Sequence, residues 1–307
     1  MKTLLISISL FALLGSCSAL EKMQGMVPKP QYQFQSLNIK NINLSEITLQ
    51  MVGSIKNPYG VSLPKSLVGV DLLIEGNRLT HIDTDLGAIE GKATKTVPMD
   101  IKLKYSDLLK FYKNFPKKEL LNFQMKGDLE LPIPANYQIA GASSVKFPID
   151  QSKEIPAVLP DVEIRNFSLK KPDLTTIATQ AATGIFDKIV GTNSKDNSPG
   201  LEANFDLAFT NKTAAKLLMN QLKFDLELEG QKFLAGSPTE IVQVGDTNIV
   251  KIKTMVPLFE AGTSLYSAYT KRSANYKITG ISGLSFPSID KATIPFNYDK
   301  LGKLSWR

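Results

Sequence analysis

Residues 37–44, LNIKNINL, match residues 162–169, VEIRNFSL, without a gap at an offset of 125. Farther along, KNPYGVSLPKSLVGVDLLIEG (56–76) aligns with TNKTAAKLLMNQLKFDLELEG (210–230) at a constant offset of 154. Asn57 meets Asn211, Asp71 meets Asp225, and Glu75-Gly76 meets Glu229-Gly230. A third match sets YQIAG (137–141) against YKITG (276–280). Shared order and shared turn residues read as a duplication, with about 29 extra residues in the second copy. A duplicated chain is expected to fold as two like units, and this constrains the fold more than any single motif.

Each copy reads as short strands. KFDLELEG (223–230) alternates strictly, with Phe224, Leu226 and Leu228 to one face and Asp225, Glu227 and Glu229 to the other. VDLLIEG (70–76) is nearly continuous in apolar residues, and both stretches end at a glycine suited to a hairpin turn. VPMDIKLKY (97–105) places Val97, Met99, Ile101 and Leu103 inward, with VKIKTMV (250–256) as its counterpart. Turn signals every eight to twelve residues predict a β-sandwich. SDLLKFYKNF (106–115) predicts a short helix capped by Ser106 or Asp107, and the segment after Pro257 predicts another. The extra stretch PDLTTIATQAATGIFDKIVG (172–191) predicts an amphipathic helix from Asp173, read as packing on its own domain in preference to membrane or partner contact.

These readings give a mainly β chain of two tandem antiparallel β-sandwich domains. Each has a short capping helix, and the second carries the inserted helix. The domains are expected at 32–155 and 156–301, with QSKEIPAVLP (151–160) between them.

Strand alternation running into Asn57-Pro58, then a V/I-x-L-x-x-G hairpin strand, then a strand entering SDLLKFY, resembles the late embryogenesis abundant type 2 family, also called the water stress and hypersensitive response domain. The resemblance covers about 34–150. The second copy keeps Asn211 but has Lys212 where the first has Pro58. The resemblance implies a small β-sandwich with a helix at one end, no enzyme activity, a link to desiccation and stress protection, and in some relatives a lipid-holding groove. Asn57, Pro58 and Asn211 are expected to be structural: proline extends the residue before it, and an Asn amide bonds backbone at a strand end.

The N-terminal stretch gives an address. Lys2 and the apolar run Leu4 to Leu14 have signal-peptide form and are too short to span a bilayer. Leu14-Gly15-Ser16-Cys17 resembles the lipobox of bacterial lipoproteins, so 1–16 is expected to be a signal peptide, Cys17 the acylated residue and 17–31 a tether. Several acyl chains anchor more firmly than one. Ser18 in place of Asp favours the outer membrane. The expected location is the bacterial envelope, lipid-anchored, on its periplasmic or surface face. Cys17 is the only cysteine, so the fold must hold together without an internal disulfide.

Charge is thin and even: 17 basic against 14 acidic residues over 17–155, and 18 against 15 over 156–307. Lys110, Lys113, Lys117 and Lys118 form the densest basic patch, read as a solvated face in preference to a weak site for anionic headgroups. No basic stripe interleaved with aromatics points to nucleic acid. His81 is the only histidine, which disfavours a zinc site, and no G-x-S-x-G stretch supports a serine triad. Asp83 and Asp85 alternate beside it and read as a charged strand edge, short of a calcium loop. No catalytic, metal or cofactor residues are assigned. Three roles are open: a stress-protective or binding protein, a lipid-handling module, or an assembly lipoprotein docking an envelope protein.

Overall fold

The computed structural model describes residues 28–138, 143–170, 200–238, 240–257, 262–289 and 293–306. Signal peptide, Leu14, Gly15, Ser16, Cys17 and the 172–191 helix lie outside these residues. The described chain is built almost entirely of strands. The first copy contributes β1 (Gln31–Asn43), β2 (Glu46–Lys56), β3 (Leu67–Ile74), β4 (Asn77–Asp85), β5 (Thr94–Lys104), helix α1 (Tyr105–Phe111), β6 (Leu120–Pro132) and β7 (Ser144–Pro156). The second contributes β8 (Pro160–Lys170), β9 (Gly200–Asn211), β10 (Leu218–Leu228), β11 (Gln231–Gly236), β12 (Val242–Val244), β13 (Thr247–Pro257), helix α2 (Gly262–Lys271), β14 (Ser273–Ser285) and β15 (Ile294–Ser305).

Sheet order repeats with the elements. One four-stranded sheet runs β4-β3-β6-β7, and β11-β10-β14-β15 has the same order in the second copy. A second four-stranded sheet runs β12-β13-β9-β8, and β1, β2 and β5 complete a seven-stranded sheet beyond β15. Both hairpins turn on the matched Glu-Gly pair. Glu75 and Gly76 have φ of 51° and 76°, and Glu229 and Gly230 have 50° and 76°. Two successive left-handed residues suit a tight hairpin turn, and glycine carries the second without a Cβ penalty.

This equivalence corrects one sequence match. YKITG (276–280) lies inside β14, whose place in the sheet is that of β6. Its partner is therefore FQMKG (123–127), and YQIAG lies beyond β6. Gly127 faces Val70 on β3, and Gly280 faces the matched Phe224 on β10. A Cβ on Gly127 would lie 2.0 Å from Gly69 O, and one on Gly280 2.3 Å from Lys223 O, so both positions require glycine for the close strand approach.

Alternation fills the cores. Val70, Leu72, Ile74, Phe123, Met125 and Leu129 are buried in the first copy, and Phe224, Leu226, Leu228, Ile278, Phe296 and Tyr298 in the second. Helix α1 differs from expectation at its start. Neither Ser106 nor Asp107 caps it. Instead the Tyr105 N–H donates to Ser45 O at 2.9 Å, so the β1–β2 turn supplies the acceptor that a cap would have supplied.

The chain forms two compact units, and they interleave in sequence. Unit 1 is Met1–Asn38, Gln50–Asp100 and Asn122–Lys153; unit 2 is Ile39–Leu49, Ile101–Leu121 and Glu154–Arg307. The division at Lys153 falls inside the 151–160 stretch, but two pieces of the first copy belong to unit 2. The pairing explains this: the end of β1 runs parallel to β15, with Ile42 beside Phe296 and Asn43 beside Asn297. Asn297 Nδ2 also donates to Asn41 Oδ1 at 2.9 Å. The matching strands β7 and β8 each end their sheets. There Pro148 occupies the Asn297 position, and β8 bulges between Arg165 and Ser168 with Asn166 at φ 54°. Proline and bulges blunt strand edges against further pairing.

Candidate functional site

Asn57 directly follows β2 and is 1% exposed. Its Nδ2 faces three carbonyls, Val61 O at 2.9 Å, Ile89 O at 3.0 Å and Glu90 O at 2.9 Å, while Oδ1 accepts the Tyr59 N–H at 2.9 Å. Asn211 repeats the arrangement. Its Nδ2 donates to Ala215 O at 2.8 Å and Ala157 O at 3.1 Å, and its Oδ1 accepts from Leu159 N at 2.7 Å. One buried amide thus satisfies several loop groups that would otherwise be left without partners. It has no free donor to offer a ligand.

The residue after each asparagine differs for a physical reason. Lys212 uses its N–H, which donates to Leu159 O at 2.9 Å, and proline could not. Its Nζ lies 2.6 Å from Asp161 Oδ2, and Lys300 Nζ lies 2.6 Å from Asp161 Oδ1. Asp161 is 15% exposed and also accepts the Val162 N–H at 2.9 Å. Burial alone would raise its carboxyl, but the two ammonium groups outweigh burial and hold it below the usual carboxylate range. The first copy has Ser36, Pro58 and Gln151 at the three matched positions, so the charged trio is replaced as a set. Sequence reading missed this trio, because its members lie on three separate strands or loops and only the Pro58-to-Lys212 difference stood out.

The matched glutamates also brace the fold. Glu75 Oε1 accepts the Asn122 N–H at 3.0 Å, and Glu229 Oε1 accepts the Asn275 N–H at 2.7 Å. His81 lies on β4 at the sheet edge. Its Nδ1 is 2.6 Å from Asp71 Oδ1 and its Nε2 3.1 Å from Asp83 Oδ1, while Arg78 also reaches Asp71 at 2.8 Å. The hydrogen bond to Asp71, aided by Asp83, holds the imidazole above its ordinary value. The group is exposed. Asp85 pairs with Lys65 at 3.1 Å. Among the described residues no group of three or more His, Cys, Asp or Glu side chains is arranged to hold a metal ion, and no helix is long and apolar enough to cross a membrane.

One cleft in unit 2 offers concave surface. It measures about 630 Å³ and is lined by Glu229, Ser267, Ala268, Lys271, Ser273, Asn275 and Lys303. It lies between the end of α2, the starts of β14 and the β10–β11 turn, and the end of β15. Its side chains are mostly polar.

Residues 53–152 match the family described as Late embryogenesis abundant protein, LEA_2, and this part of the chain is a domain of that family. The second copy lies outside the match, and its likeness to the first rests on the repeated order of elements and sheets. Among solved structures, a solution structure from Arabidopsis thaliana is 18% identical over 42% of this chain and 83% of that one, with a TM-score of 0.33. The solution structure of a putative late embryogenesis abundant (LEA) protein is 19% identical over 49% and 87%, with a TM-score of 0.33. A crystal structure of a protein from Archaeoglobus fulgidus is 9% identical over 42% and 95%, with a TM-score of 0.29. No curated protein matches the chain.

Proposed function

We propose that this is a non-enzymatic lipoprotein of the bacterial envelope, held by acyl chains on Cys17, whose tandem late embryogenesis abundant type 2 sandwiches protect or bind other macromolecules under stress. The observation that carries the reading is the employment of the polar groups. Asn57, Asn211, Glu75, Glu229 and the Asp161 trio each serve a turn, loop or strand junction, and His81 is flanked by the carboxylates of Asp71 and Asp83 at an exposed sheet edge. Chemistry at neutral pH needs a convergent set of such groups around a concave site. The family match over 53–152 supports the stress-related part, and Leu14-Gly15-Ser16-Cys17 supports the anchor.

The test compares survival after drying in cells that carry the wild-type gene, a deletion, or Cys17→Ala. Both altered strains should survive less well, and the Cys17→Ala protein should leave the membrane fraction. Equal survival of the deletion strain would overturn the protective role. Lipid bound stoichiometrically to the purified protein would replace it with lipid handling.

A further inference from the structure

The internal repeat serves as a control for the unit 2 cleft. Glu229 and Asn275 brace the β10–β11 turn as Glu75 and Asn122 brace the β3–β4 turn, so both have structural work. Lys303 has no such account. Asp150 aligns with Asp299, and at that offset the first copy has Glu154 where β15 has Lys303, a reversal of charge. Ser273 likewise stands at the position of Leu120.

Neither Lys271 nor Lys303 has an acidic partner among the described residues. Lys271 lies in the last turn of α2, where a cation also complements the helix end. Lys303 lies on a strand and has no helix to serve. An ammonium group is a point-charge partner for phosphate. The cleft is far larger than a bare phosphate, and its other walls present the hydroxyl of Ser267, the hydroxyl oxygen of Ser273, whose proton goes to Leu304 O at 3.0 Å, and the amide of Asn275, whose Nδ2 lies 3.4 Å from Glu229 Oε2. Glu229 leaves the lining with a net charge of one positive unit, which suits a single phosphate better than a polyanion.

We propose that this cleft binds a phosphorylated polyol, with the phosphate between Lys271 and Lys303 and the hydroxylated body against Ser267, Ser273 and Asn275. The ligand is either a free polyol phosphate or the phosphoglycerol headgroup of a lipid. The proposal does not depend on Cys17 or on stress survival.

Trp306 is the only tryptophan, and its backbone N–H donates to Arg272 O at 3.1 Å, next to Lys271. Full-length protein in neutral detergent is titrated with glycerol 3-phosphate, followed by Trp306 fluorescence and by calorimetry. Saturable binding is expected, weakened by added salt and about tenfold weaker in Lys303→Glu, whose unfolding midpoint stays unchanged. Glycerol should not bind. In a second arm, phosphatidylglycerol vesicles are compared with phosphatidylcholine vesicles. Binding to phosphatidylglycerol that glycerol 3-phosphate competes away identifies the headgroup as the source, and binding of the free ester alone identifies a soluble polyol. No saturable binding of either probe, or a Lys303→Glu protein that binds as tightly as wild type, overturns the proposal.

Discussion

Asp161→Asn removes the charge at the centre of the Lys212–Asp161–Lys300 trio while keeping the side chain's shape. Two charge-assisted bonds of 2.6 Å lose their strength together. They are not equal. Lys300 is 29% exposed, and a sheltered hydrogen bond to a charged group contributes about 1.5–3 kcal/mol. Lys212 is 57% exposed, and a solvated pair contributes about 0–1 kcal/mol. The expected loss is about 2–3 kcal/mol, most of it through Lys300. Trp306 is buried in unit 2 with Asp161, so its fluorescence in urea reports unfolding of the affected unit. The pH dependence follows from the depressed carboxyl. Its stabilisation is fully present above the unfolded value of 3.8 and is lost as pH falls through the lower folded value. The gap between wild type and variant should be flat from about pH 7 to 5 and close as pH falls below 3.8 through the lower folded value. A gap below about 0.5 kcal/mol at pH 7, or one undiminished in acid, would refute the reasoning.

Asn57→Ala should destabilise unit 1 by about 2–4 kcal/mol, because three carbonyls lose their donor at a 1% exposed site, as circular dichroism in denaturant would measure. Asn57→Asp should be no better, since a carboxylate would face the same carbonyls. The imidazolium of His81 contributes stability that is present below its unfolded pKa and is lost as pH rises through its raised folded pKa. His81→Gln should therefore flatten the stability profile across that window, and a profile unchanged in the variant would contradict the Asp71–His81–Asp83 arrangement. Fragment 156–307 lacks the β1 residues that pair with β15, so it should melt below unit 2 of the whole chain. Equal melting would show that the parallel pairing contributes nothing.

Local periodicity made the strands legible. Phe224, Leu226 and Leu228 alternate with charged residues, and Glu75-Gly76 and Glu229-Gly230 name their own turns. Short identities served less well. YKITG resembles YQIAG letter by letter, yet its structural partner FQMKG shares the buried aromatic, the buried apolar residue two positions on, and the glycine that lets two strands approach. The α1 cap could not be read because its acceptor, Ser45 O, is backbone from a turn sixty residues earlier. The interleaving of units was equally hidden. It rests on β1 meeting β15 across most of the chain, and nothing in either strand's alternation records which edge it joins. The Asp161 trio shows the middle case: Lys212 stood out as a departure, but only the fold reveals what it pairs with.

The proposed envelope location rests on the anchor at Cys17. Intact-mass spectrometry of the mature protein isolated from its own cells tests this directly. The account predicts a chain that begins at Cys17 and carries the added mass of acyl chains on that residue. A mature chain with another N-terminus, or with an unmodified Cys17, would contradict it.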